Sequence, residues 1–227
     1  MAAAQGQKEG RRRRPGLIDM HRPHLDFWFE FASTYSYPAA MRIAPLAQEA
    51  GVDVRFRPFL LGPIFKAQGW DTSPFNLYAA KGRYMWRDLE RICAELGLPF
   101  RRPDPFPQMS LAAARVALVG LANHWGEEFC RAVYRAEFGE GRRIDDPDLL
   151  AALLAGLGVD PAPVLSAAQS ADIKAKLREQ SEEAQRLGLF GAPSFVTTDG
   201  EMFWGNDRLE AALAWARRVE AGTAQQH

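Results

Sequence analysis

Hydrophobic residues change their spacing along the chain, and these changes predict distinct structural elements. The dense apolar and aromatic run over 25–31 is long enough for a buried strand, and the alternation of apolar and polar residues over 52–59 is typical of a half-buried strand. Between these runs the spacing predicts a helix over 36–50, and Gly51 suits its end because glycine readily adopts a left-handed conformation. A strand, a helix and a second strand in this order predict a βαβ unit with a right-handed crossover.

The spacing is helical from about residue 62 to residue 187 and predicts helices over 76–96, 110–125, 127–138, 147–157 and 171–187. Breaks over 101–107 and 139–147 separate them, and the β pattern returns only over 193–204. There Asp199-Gly200 separates two β-rich runs, which predicts a hairpin, and a last helix follows over 207–218. The order of elements predicts an α/β protein with a thioredoxin-like fold (βαβ…ββα) and a large all-helical insertion domain. We expect a disordered basic N-terminal tail over 1–22, a thioredoxin-like domain over 23–60 and 188–220, an inserted helical domain over 61–187 and a disordered C-terminal tail over 221–227.

The overall charge is balanced, since the chain of 227 residues has 28 basic and 28 acidic side chains. This balance does not favour a nucleic acid or a membrane as partner. No apolar run approaches the roughly 20 residues of a membrane-spanning helix, and we expect a cytoplasmic protein. Arg11 to Arg14 lie in a polar N-terminal stretch without the apolar core of a signal peptide, so we expect a solvated tail, with Met20 as a hypothetical start of the native chain.

The cysteines and histidines do not form a pattern that predicts a disulfide or a metal site. Cys93 and Cys130 form neither a CxxC pair nor part of a metal-ligand cluster. His21, His24 and His124 lack the spacing of metal ligands on a helix. We therefore expect two buried thiols and no metal.

Two hydroxyl residues, Ser33 and Ser36, occupy the turn between the first strand and the first helix. In a thioredoxin-type arrangement this turn suits a reactive thiol pair, because a helix N-terminus favours an anion. A dithiol oxidoreductase is therefore disfavoured, since both sulfur positions carry a hydroxyl instead. Ser33 also suits the N-cap of the helix, which is the structural alternative for this residue.

Pro193 begins the returning β pattern, in the segment GAPSFV over 191–196. A proline that opens a strand belongs at a sheet edge or at a cis turn, because it has no N–H group to donate to a neighbouring strand. In thioredoxin-like folds such a cis-proline faces the start of the first helix, and the backbone of the preceding residue, here Ala192, is open to an extended peptide ligand. A simple turn proline is the alternative.

Four segments of the chain resemble the 2-hydroxychromene-2-carboxylate isomerases, which are grouped with the kappa-class glutathione transferases. The likeness extends over about residues 25 to 218, and the four segments follow in the order that the family has. They are DFWFEFASTYSYPA (26–39), KGRYMWRDLERICAELGLPF (81–100), LFGAPSF (189–195) and WGNDRLE (204–210). The resemblance implies an isomerase of aromatic catabolism with a thioredoxin fold and glutathione as its cofactor, and relatives suggest a homodimer.

The resemblance also implies which residues of the thioredoxin-like domain bind glutathione. Ser33 would donate a hydrogen bond to the thiolate of glutathione, Ala192 would bind its cysteinyl unit through the main chain, and Lys81 would bind its glycyl carboxylate. Asn206 and Asp207 would bind the γ-glutamyl end, although a helix cap formed with Glu210 is the alternative for them, and a solvated surface position is the alternative for Lys81. The full set of predicted glutathione contacts is Ser33, Thr34, Tyr35, Lys81, Ala192, Pro193, Trp204, Gly205, Asn206 and Asp207.

Four further residues fall where isomerase relatives contact the aromatic acid. Lys66 would pair with the carboxylate of the substrate, Asn76 would bind a hydroxyl or keto oxygen, and Phe75 and Phe106 would pack against the ring. Core packing is the alternative for both phenylalanines. Trp70 and Phe106 depart from the residues that relatives carry, which leaves the particular substrate open.

The sequence hypothesis is a glutathione-dependent cis–trans isomerase that interconverts 2-hydroxychromene-2-carboxylate and trans-o-hydroxybenzylidenepyruvate by reversible thiolate addition to the conjugated double bond. Two alternatives stay open. The first is a kappa-class-like glutathione transferase or peroxidase that acts on hydrophobic electrophiles. The second is a non-catalytic thioredoxin-fold module that binds an extended peptide along the Ala192 edge.

Overall fold

Four strands form one mixed sheet in a computed structural model that describes residues 22–70 and 73–224. The strand order is β2-β1-β3-β4, in which β1 pairs with β2 in parallel, and the β1–β3 and β3–β4 pairs are antiparallel. This arrangement confirms the predicted thioredoxin-like βαβ…ββα order. The strands are β1 (His24–Phe29), β2 (Asp53–Pro58), β3 (Ser194–Thr197) and β4 (Met202–Trp204).

The helix α1 (Ser36–Ala50) connects β1 to β2, with the bounds that the sequence predicts. It ends at Gly51, which has a φ of 66° in the left-handed region where a side chain is disfavoured. The N–H groups at the other end of α1 point toward the loop that follows β1. The parallel β1–β2 connection thus places the start of α1 at the carboxyl end of β1.

Eight helices lie between β2 and β3 among the described residues, and the sequence predicted most but not all of them. The helix predicted from residue 76 is divided into α3 and α4, and the helix predicted over 127–138 passes from α6 into one π turn over Arg135–Gly139. Two short helices were missed, α2 and α8, in which Pro63 and Pro161 lie in the first turn, where proline is tolerated. The helices are α2 (Leu61–Ala67), α3 (Pro74–Leu77), α4 (Ala79–Glu95), α5 (Leu111–Leu121), α6 (Gly126–Tyr134), α7 (Pro147–Gly156), α8 (Pro161–Ala168) and α9 (Ala171–Arg186).

The core is built around the aromatic side chains of β1. Phe27 stacks on Phe195 of β3 with ring centroids 5.5 Å apart and meets Phe56 of β2 edge to face at 5.1 Å. The same hydrophobic cluster includes Phe129 and Tyr134 of α6, so the sheet and the inserted helices share one core. The division into a sheet domain and a separate helical domain stays a prediction.

Only part of the two predicted tails lies within the described residues. The predictions for residues 1–21, including Met20 and the arginine run, lie outside the described residues, whereas Arg22 forms an ion pair with Asp53 at 3.4 Å. The last helix, α10 (Leu209–Ala224), follows a 3₁₀ turn over Asn206–Arg208 and continues into the segment predicted as a C-terminal tail. Within the described ranges no helix has the length and apolar character needed to cross a membrane, and no three His, Cys, Asp or Glu side chains group as metal ligands do.

Candidate functional site

A cavity of about 1340 Å³ lies at the carboxyl end of β1, between the start of α1, the loop before β3 and the helix α4. Most of the residues that the sequence singled out form its wall. The structure does not place Lys66, Asn76 or Pro193 in that wall. The predicted residues that line it are Ser33, Thr34, Tyr35, Phe75, Lys81, Phe106, Ala192, Trp204, Gly205, Asn206 and Asp207.

Ser33 lies in the turn between β1 and α1 and faces the loop before β3. Its N–H donates to the carbonyl oxygen of Glu30 at 3.0 Å, and its own carbonyl accepts from the N–H of Ser36 at 3.1 Å. The Ser33 hydroxyl donates to the carbonyl oxygen of Ala192 at 2.8 Å. The N-cap alternative for Ser33 is therefore wrong, because its hydroxyl bonds across to another segment and α1 has Tyr35 as its N-cap without a side-chain cap bond.

The loop before β3 is held against the segment after β4. The Ala192–Pro193 peptide bond is cis, which confirms the cis-turn interpretation, and the N–H of Gly205 donates to the carbonyl oxygen of Pro193 at 2.9 Å. Gly191 lies directly under the Trp204 indole, where a β-carbon would collide with the ring. Phe190 meets Trp204 edge to face at 4.9 Å, so an aromatic pair stands at the rim of the cavity beside Ala192.

Arg42 of α1 fixes the orientation of Asn206. Its Nε donates to Asn206 Oδ1 at 3.1 Å and its Nη2 to the backbone oxygen of Asn206 at 2.7 Å, while the same guanidinium pairs with Glu210. Because a guanidinium only donates hydrogen bonds, Oδ1 must face Arg42, and the amide nitrogen Nδ2 is left to donate elsewhere. The capping alternative for Asn206, Asp207 and Glu210 is wrong, since Glu210 is engaged by Arg42 and the 3₁₀ turn has no side-chain cap bond.

The α4 side of the wall carries polar groups of both charges. The Lys81 ammonium lies 4.9 Å from the centre of the Tyr78 ring, an exposed cation–π contact. The Tyr35 hydroxyl donates to Asp88 Oδ2 at 3.0 Å. Burial and the neighbouring Asp88 carboxylate raise the pKa of Tyr35, so its side chain is a neutral phenol at physiological pH.

Aromatic side chains form much of the remaining wall. Phe106 meets Trp86 edge to face at 4.7 Å and packs against the main core, while Phe75 lies 6.4 Å from the Tyr35 ring. Both phenylalanines therefore contact the core and the cavity, so the core alternative and the ring-packing role are compatible. Further apolar lining residues are Leu60, Leu61, Phe65, Trp70, Tyr84, Met85, Ile92, Met109 and Leu111.

Several residues at or near this site were missed from the sequence. Glu30 lines the cavity directly below the Ser33 turn, and Asp88 lines it beside Tyr35. An acid between two phenylalanines in the apolar run over 25–31 was an available signal for Glu30. Arg42 gave no such signal, because its partners Asn206 and Glu210 are far away in the sequence.

The family model of the DsbA-like thioredoxin domain matches residues 24–214. The chain belongs to this family. The match spans the sheet, the inserted helices and the start of α10, so both parts of the fold lie inside one DsbA-like domain.

Within the DsbA-like family, the similar proteins include isomerases and kappa-class transferases. A 2-hydroxychromene-2-carboxylate isomerase of Sphingobium xenophagum is 30% identical over 187 residues, which cover 82% of this chain and 94% of the relative. Glutathione S-transferase kappa 1 of Homo sapiens is 28% identical over 199 residues, covering 82% and 87%. The solved structure of a 2-hydroxychromene-2-carboxylate isomerase has a TM-score of 0.79 at 27% identity and covers 90% of this chain and 99% of that one. The resemblance that the four sequence segments indicated is confirmed.

Neither cysteine of this DsbA-like chain is suited to act as a thiolate. Both are free and buried, as predicted. Burial raises the pKa of Cys93 to about 11 and raises that of Cys130 further. None of the described residues in the cavity wall is a cysteine. A sulfur nucleophile beside Ser33 therefore has to arrive with a ligand.

Proposed function

We propose that the protein is a glutathione-dependent cis–trans isomerase that interconverts 2-hydroxychromene-2-carboxylate and trans-o-hydroxybenzylidenepyruvate in aromatic hydrocarbon catabolism. The observation that carries the proposal is the Ser33 hydroxyl, held 2.8 Å from the Ala192 carbonyl oxygen on the wall of an aromatic-lined cavity without a cysteine among its described residues. The similarity to isomerases over 82% of the chain supports the same reaction.

The polar groups of the wall match the functional groups of glutathione. Asn206 has its Nδ2 left to donate to a carboxylate, and the Asp207 carboxylate is 75% exposed and suits an ammonium. The Lys81 ammonium suits the second carboxylate, and the backbone of Ala192 suits a peptide unit. Thr34, Tyr35, Pro193, Trp204 and Gly205 are the predicted residues that complete this binding site.

Glutathione held by these residues would supply a thiolate for reversible addition to the conjugated double bond, which would allow rotation about the resulting single bond. A free thiol has a pKa near 8.5, and each unit of lowering corresponds to about 1.4 kcal/mol of stabilisation of the anion. Ser33 and the N-terminus of α1 are the groups of this chain that would stabilise the thiolate and so lower the pKa of the thiol.

Ser33 has to change its partner to act in this way. Its hydroxyl has one proton, and that proton is donated to Ala192 in the ligand-free structure. Donation to a thiolate therefore requires a rotation of the hydroxyl, and the Ala192 carbonyl then needs another donor. An N–H group of a peptide ligand would satisfy that carbonyl.

The aromatic wall would hold the substrate ring, with Phe75 and Phe106 as the predicted packing residues. Lys66 is exposed on α2 and Asn76 is exposed on α3. These two stay predicted partners of the substrate carboxylate and oxygen, although they lie outside the wall. We also expect a homodimer that acts in the cytoplasm.

The kappa-class relatives favour one alternative, a transferase or peroxidase that consumes glutathione. An absorbance assay on hydroxychromene carboxylate, with and without glutathione, separates the two reactions. The isomerase converts many substrate molecules for each glutathione present, whereas a transferase stops when glutathione is used up. A protein that does not bind glutathione but holds an extended peptide tightly would be the non-catalytic binding module instead.

A further inference from the structure

A second cavity, of about 460 Å³, lies where the helices α2, α5 and α9 meet. Leu60, Pro63 and Leu111 line both this cavity and the one that Ser33 lines, so the two cavities share an apolar wall. None of the residues predicted to bind glutathione or the aromatic acid is among its described lining residues. We call it the α9 cavity, because more than half of its lining residues belong to α9.

One face of α9 forms most of this wall. Its lining residues are at positions 174, 177, 178, 181, 182 and 185, and residues three or four positions apart lie on the same side of a helix. Leu111 and Arg115 of α5 are also four residues apart and contribute the opposite wall. Leu177 is 2% exposed and forms an apolar floor with Leu60 and Leu111.

The hydroxyl of Ser181 holds this floor in place. It accepts from the N–H of Leu60 at 3.2 Å and donates its one proton to the carbonyl oxygen of Leu177 at 2.9 Å. These bonds tie α9 to the residue that precedes α2, so the cavity is formed before any ligand binds. Because the Ser181 proton is already used, a ligand has to find its donors among the charged side chains of the wall and Gln185.

Three cations and one acid surround the apolar floor: Arg115, Lys174, Arg178 and Glu182. Within the described part of the chain, none of the four takes part in an ion pair. Arg115 donates from Nη1 to the neutral Gln169 at 3.4 Å, and its Nε is buried without a hydrogen-bond partner. The wall therefore has an excess of positive charge that no acid of the described chain neutralises, and an anion is its complement.

The wall also selects the kind of anion. A guanidinium binds a carboxylate through two parallel N–H groups, and Arg115 and Arg178 both have such a group. The leucine floor offers contact to an apolar body beside the charged head. The volume of the cavity lies within the range of small-molecule sites, so one small amphipathic acid fits it.

We propose that the α9 cavity is a second ligand site, which binds a carboxylate carried on an apolar body. The carboxylate pairs with Arg115, Lys174 and Arg178, and the apolar body packs on the leucine floor. Aromatic acids and medium-chain fatty acids share this chemistry, and the experiment below distinguishes them. The inference goes beyond the proposed isomerisation, because the site needs neither glutathione nor Ser33.

The first experiment locates the bound acid by nuclear magnetic resonance on the isotope-labelled, ligand-free protein. The probes are trans-cinnamate and octanoate, with trans-cinnamamide and inorganic phosphate as controls that lack the charge and the apolar body, respectively. We expect saturable shifts of the amide signals over 177–185 with a carboxylate, and binding about tenfold weaker or less with either control. The acid that binds more tightly identifies the body that the floor accepts. Shifts confined to the turn over 33–35, or phosphate binding as tight as that of the acids, would overturn the inference.

The second experiment compares two double variants of α9 that lose the same charge. One combines Lys174→Met with Arg178→Met in the cavity wall, and the other combines Lys176→Met with Arg186→Met outside it. All four side chains are exposed, so both variants should fold. We expect the Kd for the tighter acid to rise about tenfold in the wall variant and to stay within about twofold in the control. Equal Kd values in the two variants would show that only overall charge matters and would overturn the site.

The acid of the wall gives a change in the opposite direction. Glu182→Gln removes the one carboxylate that repels an anionic ligand, and we expect the Kd for the acid to fall about twofold. Glu179→Gln, exposed on α9 and outside the wall, is the matched control and should leave the Kd unchanged. Weaker binding in Glu182→Gln than in Glu179→Gln would contradict the assignment of an anionic ligand.

This inference and the proposed function fail separately. A wild type without isomerase activity that still shows the shifts over 177–185 overturns the proposed function and supports the second site. An active isomerase that shows no such shifts with either acid overturns the second site alone.

Discussion

The hydroxyl of Ser33 and the carbonyl oxygen of Ala192 form a 2.8 Å hydrogen bond between segments that are 159 residues apart in the sequence. The bond joins the turn at the start of α1 to the residue before the cis-proline. In the ligand-free protein this bond pairs the Ser33 hydroxyl with the Ala192 carbonyl oxygen. The proposed ligand would give each of these two groups a new partner. Binding of glutathione would therefore exchange this bond for two others, one to the sulfur and one to a peptide N–H.

We expect Ser33→Ala to lower kcat by about 10²–10³-fold, the range seen when a hydrogen-bond donor to a reacting anion is removed. The thiol pKa of bound glutathione should rise, which thiolate absorbance as a function of pH will report. Stability should fall by no more than about 1.5 kcal/mol, because the variant loses one ordinary hydrogen bond. Thr198→Ala on the exposed hairpin is the matched control, and turnover by Ser33→Ala at the wild-type rate would remove Ser33 from the mechanism.

Arg42 should control glutathione affinity without contacting glutathione. In Arg42→Met the Asn206 amide loses the donor that fixes its orientation, and we expect the Kd for glutathione to rise about tenfold, equivalent to about 1.4 kcal/mol. Glu210→Gln is the control, because it removes the ion pair to Glu210 while Arg42 keeps its bonds to Asn206. Calorimetric titration measures both variants, and equal Kd values for the two would contradict the orienting role.

Two lysines, one in the cavity wall and one outside it, provide a matched test of whether glutathione binds in the cavity. Lys81 lines the wall, whereas Lys66 is exposed on α2 and does not. We expect Lys81→Met to raise the Kd for glutathione about tenfold, since it removes the cation for one carboxylate. Lys66→Met should leave this Kd within about twofold and raise only the KM for the aromatic substrate, because Lys66 is the predicted partner of the substrate carboxylate. An unchanged KM in Lys66→Met would contradict the substrate contact that the sequence predicted.

The stability of the wild type should fall as pH rises above the ordinary pKa of a glutamic acid. The pKa values of Glu30 and Glu137 are raised in the folded state, so the folded chain holds more protons than the unfolded chain between the ordinary and the raised values. Their stabilising contribution is complete below the ordinary pKa and is lost as pH increases through this window, by up to about 1.4 kcal/mol per proton and pH unit. Urea denaturation at several pH values measures the slope.

Glu137→Gln provides the comparison for this pH effect. The variant has one titrating acid fewer, so its free energy of unfolding should depend less on pH in the same window. Parallel curves for wild type and variant would mean that Glu137 has an ordinary pKa in the folded protein.

The local pattern of the sequence was enough to predict the strands, α1 and the hairpin at Asp199-Gly200, since each depends on the spacing of neighbouring residues. It was also enough to bring Ser33 and Ala192 to one site, because a known order of elements places the first helix beside the cis-proline. The burial of Glu137 and the bonds from Arg42 to Asn206 were not predictable in this way. They depend on how the helices pack, and that packing has no signature in the residues next to either partner.

The close approach of Gly191 to the Trp204 indole makes the size of the side chain allowed at either position depend on the residue at the other. Any side chain at residue 191 would take the volume that the ring occupies, so the chain accommodates a bulkier residue at one position only by accepting a smaller one at the other. We therefore expect evolutionary covariation between residues 191 and 204, and a directed library that randomises codon 191 alone, with Trp204 kept, should return almost exclusively glycine.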